Sequence, residues 1–177
     1  DIIEAGVPRR VGDLTVTGIP VPHDAAAPLA FVVSCEGDSF GHATDLGNLS
    51  RGVVEGFRHC DAILVESNYD PGMLRDGPYP WMLKERILGP RGHLSNGDVG
   101  RYLGEGMGEA CRTVVLAHLS QKNNHPEVAR MVAETSLRRR GRTEVQLTLT
   151  GPEGTEWIPV GRPKTASING SRQLRLW

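Results

Sequence analysis

Three side chains that could do chemistry, Asp45, Glu66 and His118, stand where apolar, strand-like stretches of the sequence end. Carboxylates and imidazoles in combination suit the binding of zinc, manganese or iron. Three strands that end in such groups predict one shared edge of a sheet. We therefore expect these side chains to meet in a single site.

His23 and His93 extend this set, because each also follows an apolar stretch or a break in the chain. Taken singly, these groups have ordinary structural explanations. Asp45 would cap the next helix, Glu66 would pair with an arginine, and the histidines would be hydrogen-bonded core residues. Taken together, those explanations are weaker, because desolvating several ionisable groups costs free energy that a fold accepts mainly where the groups do work.

The elements that must position these groups are indicated by apolar periodicity and by turn residues. Glu36-Gly37-Asp38 predicts a hairpin turn, and Ser50 and Pro126 predict helix starts. Ser95 and Asp98 predict a capping box at the start of another helix. The predicted strands are 14–21, 29–35, 39–44, 62–65, 113–117, 144–150 and 155–160, and the predicted helices are 50–59, 81–88, 95–111 and 126–140.

Several details of this assignment bear on the site. Segment 70–90 is interrupted by glycine and proline, so we predict an irregular insertion apart from its one helix, of a kind that often carries specificity. The chain opens on a strand-like stretch, 1–5. The glycines between 100 and 108 do not fit a dinucleotide phosphate loop, because no strand precedes them, and close helix packing explains them better. In the last helix the residues predicted to face inward are Val128, Met131, Val132 and Leu137.

Composition bounds the class of protein. A chain of 177 residues is long enough for one domain, 1–177, with a loosely held tail at 161–177. Its formal charge of -1 gives no global field that favours nucleic acid or a membrane. No apolar run reaches the length of a membrane span and no signal-peptide pattern is present, so we expect a soluble cytoplasmic protein. Cys35, Cys60 and Cys111 form no C-x-x-C pair and predict free thiols.

Six stretches of the sequence resemble, in consistent order, the motifs of the metallo-β-lactamase superfamily. More narrowly, they are similar to its YycJ/WalJ-like exonuclease branch, which is related to ribonuclease Z and ribonuclease J. The match runs from about residue 14 to residue 135. The stretches are 20–25 (PVPHDA), 43–47 (ATDLG), 61–68 (DAILVESN), 77–81 (GPYPW), 92–96 (GHLSN) and 117–120 (AHLS) with Asn123 and Asn124.

The resemblance implies an α/β fold, the C-terminal part of an αββα sandwich with a mixed sheet and flanking helices. It also implies that His23, Asp45 and His118 are metal ligands, with Asp45 bridging two divalent ions, zinc or manganese. Glu66 would pair with His93 as a proton relay near the leaving group. Contacts to substrate phosphate or to the ligands would come from Asn68, Ser120, Asn123 and Asn124.

The sequence departs from the family in two places. The superfamily's H-x-H-x-D-H ligands belong to its first half, and none of the six histidines here stands two positions from another. We therefore expect a fragment that begins within the domain, holds at most one metal ion weakly and is inactive alone. Tyr69 occupies a position where the family more commonly has histidine.

The resemblance implies that the intact protein is a metal-dependent phosphodiesterase, a 5′-to-3′ DNA exonuclease. Two alternatives stay open. One is a ribonuclease or small-ester hydrolase of the same superfamily, and the other is a non-catalytic, metal-free binding module, which the missing ligand motif favours. The expected partner is nucleic acid, DNA more than RNA, with no membrane. Because a half-sandwich exposes one sheet face, we also expect a homodimer or pairing with the missing N-terminal half.

Overall fold

The computed structural model describes residues 2–151 and 154–161. Its strands are β1 (Arg9–Val11), β2 (Leu14–Pro20), β3 (Leu29–Cys35), β4 (Asp38–Ala43), β5 (Ala62–Glu66), β6 (Thr113–Ala117) and β7 (Gln146–Leu149). Its α-helices are α1 (Arg51–Gly56), α2 (Pro71–Asp76), α3 (Trp81–Leu88), α4 (Asn96–Arg101) and α5 (Pro126–Arg139). A 3-10 turn, Phe57–His59, extends α1, and a π-helical turn, Tyr102–Gly106, extends α4.

The seven strands form one mixed sheet in sequence order. Pairing is antiparallel from β1 to β4 and parallel from β4 to β7. Glu36 and Gly37, with φ of 51° and 90°, make the predicted turn between β3 and β4. Because β4, β5 and β6 run parallel, their carboxyl ends lie at the same edge of the sheet. The predicted shared edge is confirmed.

The core lies between one face of this sheet and the helices. Alternate strand residues such as Ile63 and Val114 pack there with Phe57. The intervening residues point to the opposite face, where Phe31 and Leu64 are partly exposed and belong to no part of that core cluster. The mixed sheet with helices confirms the α/β fold class.

Local sequence accounts for the helix starts. Ser50 accepts a hydrogen bond from the backbone N–H of Val53 at the start of α1. Ser95 and Asp98 form the predicted capping box of α4. Pro126 opens α5, where its missing N–H has no consequence.

Two predictions about helices were wrong. Pro71–Asp76 forms α2 where we predicted irregular chain, because Asp70 accepts the backbone N–H of Met73 and proline opens the helix. The helix predicted at 95–111 ends at Gly106, since Met107 takes an extended conformation with ψ 139°.

The predicted inward face of α5 was also partly wrong. Met131 is 59% exposed, and the buried stripe consists of Ala129, Ala133 and Leu137. Those residues are spaced by four along the helix, so they lie on one side of it. Short alanine side chains let α5 approach the sheet and α4 closely, which leaves Met131 outside.

Two predicted strands are absent from the described residues. Segment 155–160 forms no strand, because β7 finds its partner in β6 by parallel pairing instead of turning back in a hairpin. At the start of the chain, residues 2–4 have no regular structure, and Ala5 makes only an isolated bridge to Gly18. The predicted tail lies outside the described residues beyond Gly161.

The thiols are free, as predicted, with Cys60 and Cys111 buried and Cys35 partly exposed. Burial raises the pKa of Cys60 to about 12 and that of Cys111 to about 11, so neither is an effective nucleophile near neutral pH. Within 2–151 and 154–161, no helix has the length and apolarity needed to span a membrane.

Candidate active site at the carboxyl edge of the sheet

Glu66, the last residue of β5, is the buried centre of this edge. Its side chain is 0% exposed. Oε1 accepts a hydrogen bond from Nδ1 of His93 at 2.5 Å and lies 3.2 Å from Nδ1 of His118. Oε2 accepts the backbone N–H of Leu46 at 3.1 Å. A buried carboxylate needs such partners to offset its desolvation, so Glu66 ties three separate segments of the chain together.

The electrostatics of this cluster follow from those contacts. Burial by itself would raise the pKa of Glu66, but hydrogen bonds from His118 and His93 outweigh burial and hold that pKa below its usual value. The hydrogen bond to Glu66 in turn raises the pKa of His118, against the opposing effect of burial. Glu66 therefore stays ionised, and its charge favours the protonated form of the His118 imidazole beside it.

Asp45, two residues past the end of β4, faces three imidazoles. Its Oδ1 lies 3.7 Å from Nε2 of His23, 3.8 Å from Nδ1 of His93 and 3.6 Å from Nδ1 of His118. These distances exceed hydrogen-bond lengths. Two ligands that sit about 2.1 Å from one tetrahedral ion are about 3.4 Å apart. The 3.7 Å between Oδ1 of Asp45 and Nε2 of His23 thus suits two donor atoms that share a cation better than two atoms bonded to one another. Nδ1 of His93 and Nδ1 of His118 face Glu66 as well.

The donor atoms form two overlapping groups whose members lie within 4.8 Å of one another. One group is His23, Asp45 and His93, and the other is Glu66, His93 and His118. His93, expected from the sequence as half of a proton relay, belongs to both. The structure therefore brings all five predicted metal and catalytic residues together at one place.

The loop that carries His23 is fixed by close packing. Nδ1 of His23 lies 3.1 Å from the carbonyl oxygen of Gly92, so that nitrogen donates its proton and Nε2 is left with a lone pair towards Asp45. Gly47 allows the neighbouring loop to approach, since a Cβ at this position would meet the carbonyl of Pro90. The loops of His23, Asp45 and His93 are thus held in register by backbone contacts.

Backbone strain marks the same edge. Asp45 and His118 have φ of 56° and 55°, in the left-handed region that side chains other than glycine rarely adopt. Each such residue costs on the order of 1–3 kcal/mol. His118 is kept there partly by Asn68, whose Nδ2 donates to the His118 carbonyl at 2.8 Å. Strain of this kind just past the ends of β4 and β6, the strands on either side of β5, aims both side chains into one site.

The four polar residues expected to contact substrate divide into two pairs. Asn68 and Ser120 line the cavity at this edge. Asn124 is buried behind it, where its Nδ2 donates to the backbone oxygens of Ser67 and Asn68 at 2.8 and 3.1 Å. Asn123 is 1% exposed, and neither polar atom of its side chain has a hydrogen-bond partner. Substrate contact by Asn68 and Ser120 stays a prediction that their position allows.

The cavity over this edge has a volume of about 480 Å³, within the range of ligand sites. Its lining includes the three imidazoles and Asp45, and also Tyr79, Leu83 and Ile87 from the segment before and within α3. The cavity therefore offers both ionisable and apolar groups to a bound molecule.

Comparison with solved structures indicates the fold. No protein-family profile matches the chain. The metallo-β-lactamase fold protein YhfI from Bacillus subtilis superposes with a TM-score of 0.62 at 14% identity, over 90% of this chain and 54% of YhfI. Zn(2+)-bound PqqB from Methylobacterium extorquens gives 0.52 at 17% identity, over 84% of this chain and 52% of PqqB. At these identities the likeness concerns the fold alone.

Comparison with curated proteins is more specific. Exodeoxyribonuclease WalJ of Streptococcus pneumoniae serotype 2 (strain D39) is 37% identical over 139 residues, which cover 77% of this chain and 51% of WalJ. Exodeoxyribonuclease YycJ of Bacillus anthracis is 36% identical over 143 residues, which cover 79% of this chain and 53% of YycJ. The chain belongs to the WalJ/YycJ branch of the metallo-β-lactamase-fold proteins. It spans about half the length of these relatives.

In this WalJ/YycJ-branch chain, sequence reasoning missed part of the cavity lining. Arg86 and Arg91 line it, as does Asp24, which forms an ion pair with Arg86 at 2.8 Å. The sequence did contain a signal for these residues. Arg86 lies in segment 70–90, which was expected to carry specificity, Arg91 follows that segment directly, and Asp24 follows His23. Ser67 and Asn96 were also missed. They are joined by a hydrogen bond of 2.7 Å behind the site.

Proposed function

We propose that the full-length protein is a metal-dependent hydrolase that cleaves the phosphodiester bonds of DNA one after another, starting at a 5′ end and moving in the 5′-to-3′ direction. The observation that carries the proposal is Asp45 facing three imidazoles beside a buried, hydrogen-bonded Glu66. The relatives WalJ and YycJ are named as exodeoxyribonucleases, which supports DNA as the substrate. Because the matches cover only about half of each relative, their activity carries over as a proposal.

The residues present fit a divalent cation. His23, Asp45 and His118 offer nitrogen and oxygen donors of the kind that zinc and manganese take. Nε2 of His23 is left free by the bond from Nδ1 to Gly92, which is the usual way in which a histidine ligand is oriented. When bound, divalent cations would neutralise charge on the phosphate and lower the pKa of water at the site. One solved structure of the same fold, PqqB, holds Zn(2+).

The side chains of this chain then have distinct roles. Glu66 accepts the Nδ1 proton of His93, which orients the imidazole. His93 would donate a proton to the departing oxygen of the cleaved ester. Asn68 and Ser120, on the cavity wall, would hold phosphate oxygens through hydrogen bonds. Asp45 and His118 would hold the cation opposite this relay.

The proposal includes a partner for the sheet face away from the helices, whose outer part is partly exposed. That face carries apolar side chains such as Val16, Phe31 and Leu64, all partly exposed, whereas the helices cover the other face. A second layer that buries them would stabilise the domain. We place there the part of the full-length protein that also supplies the H-x-H-x-D-H ligands, or failing that a second copy of this chain. On this view the present chain alone holds at most one cation weakly.

Hydrolysis of DNA ends by the full-length protein tests the proposal. Purified protein is incubated with 3′-labelled linear DNA in manganese or zinc, with and without a chelator, and products are resolved by length. We expect progressive loss of 5′ nucleotides that stops with chelator and in Asp45→Ala. The matched control is Asp76→Ala, an exposed carboxylate paired with Arg75 on α2, which should cleave like the wild type.

The same assay separates the alternatives. Cleavage of RNA in preference to DNA would replace the proposal with a ribonuclease. Hydrolysis of small phosphate or carboxylate esters without cleavage of either polymer would indicate a small-ester hydrolase. Absence of any hydrolysis by a folded, metal-loaded full-length protein would overturn the enzymatic proposal and favour a binding module.

A further inference from the structure

A buried cluster of polar side chains lies behind the candidate active site, and the hydrolytic roles above do not use it. Its members are Ser67, Asn96 and Asn124. Nδ2 of Asn96 donates to Oδ1 of Asn124 at 2.8 Å, and Nδ2 of Asn124 donates back to Oδ1 of Asn96 at 2.9 Å. Oδ1 of Asn96 also accepts the Ser67 hydroxyl at 2.7 Å. Apolar side chains would fill this space without the cost of desolvating amides, so the cluster is better explained by the positions that it fixes.

The surroundings of the amide pair allow one orientation of each side chain. Nδ2 of Asn124 donates to the carbonyls of Ser67 and Asn68, which can only accept. Oδ1 of Asn124 accepts the backbone N–H of His125 at 2.9 Å, which can only donate. A flipped amide would leave these buried groups unpaired. The orientation of Asn124 then determines that of Asn96, so the pair is a rigid contact.

The amide pair connects two of the three chain segments that carry the buried carboxylate and its two imidazoles. We name these the Glu66 segment (66–69), the His93 segment (92–96) and the His118 segment (117–124). Asn68 joins the Glu66 segment to both of the others, because its N–H donates to the Leu94 carbonyl at 2.9 Å and its carbonyl accepts the Ser120 N–H at 2.8 Å. The amide pair joins the His93 segment to the His118 segment. The three segments therefore form a closed ring of contacts.

The place of the His93 imidazole depends on that ring. Nδ1 of His93 bonds to Oε1 of Glu66 at 2.5 Å, while Nδ1 of His118 lies 3.2 Å from the same oxygen. The two imidazole rings meet edge to face, with centroids 5.3 Å apart. One carboxylate oxygen thus faces two rings at unequal distances, and a small shift of either segment changes which ring takes the short bond. Asn96, three residues after His93, holds that segment in place.

We propose that Asn96 is a positioning residue for His93: its amide, paired with that of Asn124, holds the imidazole where it can pass a proton to the departing oxygen of the substrate. This inference rests on the proposed function and adds a residue that acts through His93. As the P–O bond breaks, its electron pair stays on the departing oxygen, which takes the proton from Nε2 of His93. Water forms the new P–O bond and releases a proton to solvent, and the imidazole takes up a proton from solvent.

The dependence of the rate on the leaving group tests this role. The full-length protein with manganese is assayed on DNA, whose departing oxygen needs a proton, and on a nitrophenyl phosphodiester, whose leaving group needs none. Asn96→Ala should lower kcat on DNA by about 10- to 100-fold, as expected for a misplaced catalytic group, and lower kcat on the nitrophenyl ester by about twofold or less. KM for DNA should stay unchanged, because Asn96 is buried behind the cavity.

Matched variants separate positioning from a general loss of stability. Leu137→Ala removes a buried side chain near the C-terminal end of α5, which weakens the main core and leaves the amide pair intact. Its rates on the two substrates should keep the wild-type ratio. Asn124→Ala breaks the pair from the other side and should change the ratio in the same direction as Asn96→Ala. The double variant should change it no further than the larger single effect, because both remove one contact.

A measurement that needs no hydrolysis follows the imidazole itself. In metal-free full-length protein with labelled histidine, the Nδ1 proton of His93 bonded to Glu66 gives a downfield NMR signal, which His93→Gln removes and so identifies. Asn96→Ala should move this signal upfield or broaden it, and Leu137→Ala should leave it in place. Thermal melting verifies that each variant is folded.

The outcomes separate the inference from the proposed function. An unchanged His93 signal in Asn96→Ala would overturn the inference, as would equal losses of kcat on the two substrates. If the signal moves as expected but the wild type with metal hydrolyses neither substrate, the proposed hydrolysis fails and the positioning of His93 by Asn96 stands.

Discussion

The carboxyl edge of the sheet and segment 70–91, which contains α2 and α3 and which we call the α2–α3 wall, line the same cavity but are built in opposite ways. The edge relies on a fully buried carboxylate, Glu66, and on left-handed backbone at Asp45 and His118. The wall relies on a small local core and leaves Trp81 and Met82 exposed. Groups that must hold a cation need positions fixed by the main fold.

The two regions also differ in what a substitution would disturb. Changes at the edge remove partners from buried or strained groups, so we expect large effects on both activity and stability. Changes at the wall affect exposed contacts or a satellite core, so we expect effects on binding and local order. The following predictions test whether substitutions in the two regions differ in this way.

The largest effect is expected for His93. His93→Gln removes the proposed proton donor, and general acid catalysis typically contributes 10²–10⁴-fold. We expect DNA hydrolysis by the full-length protein to fall by about that factor. Hydrolysis of a nitrophenyl phosphodiester, whose leaving group needs no proton, should fall far less. Equal losses on both substrates would mean that His93 acts as a metal ligand and not as the proton donor.

Loss of the buried charge at Glu66 should have the largest effect on stability. Glu66→Gln keeps the shape but removes the charge that two imidazoles and the Leu46 N–H share, so we expect a decrease of about 3 kcal/mol in the free energy of unfolding. Chemical denaturation of the full-length protein measures it. Glu55→Gln, at an exposed residue paired with Arg51, should leave the free energy of unfolding nearly unchanged. Similar values for the two variants would contradict a buried centre at this edge.

We expect a division of roles at the edge, in which Asn124 supports the fold behind the site and Ser120 contacts substrate in the cavity. Asn124→Ala leaves the Ser67 carbonyl without its side-chain donor and removes one of two donors to the Asn68 carbonyl, which keeps the backbone N–H of Ser120, and we expect a loss of about 2 kcal/mol in stability. Ser120→Ala should leave stability almost unchanged and raise KM for DNA. Chemical denaturation measures the free energy of unfolding of both variants, and steady-state kinetics measure their KM for DNA. The division fails if Asn124→Ala alters KM with no change in stability.

The smallest effect is expected within the wall. Lys84→Met keeps the aliphatic stem and removes the two bonds to the carbonyls of Arg75 and Gly77, which costs about 1–2 kcal/mol locally. Hydrogen exchange should speed up across 70–91 and stay unchanged in β4, β5 and β6. Lys122→Met, an exposed lysine in the loop after β6, is the control. Faster exchange across the whole sheet would show that wall and edge are one cooperative unit.

The sequence allowed the edge to be predicted far better than the wall. Asp45, Glu66 and His118 follow apolar, strand-like runs, so the apolar pattern located the strands and parallel pairing brought their ends together. The left-handed conformation at Asp45 and His118 could not be predicted, because tertiary contacts and not the local sequence impose it. The sequence likewise gave no sign that Asn124 is buried while Asn68 lines the cavity.

The helix at 81–88 was predicted and is confirmed as α3. The rest of this segment was missed because its order comes from interactions that leave no periodic pattern. Pro71 and Gly77 argued for irregular chain, but Asp70 caps a short helix between them. Lys84 is buried because it donates to backbone carbonyls. Every residue has such a carbonyl, so the sequence cannot indicate this contact in the way that a nearby carboxylate would. Arg91 depends on the packing of Gly47 and Gly92, which lie far apart along the chain. Each of these is a tertiary effect.

The metal content of the full-length protein tests the central claim most directly. Protein loaded with zinc or manganese and desalted is analysed by plasma mass spectrometry, for the wild type and for His23→Ala, Asp45→Ala and His118→Ala. His59→Ala, an exposed histidine after α1, is the matched control. The account predicts bound metal in the wild type and in His59→Ala, and a marked loss in the other three. Unchanged metal content in Asp45→Ala and His118→Ala would contradict it.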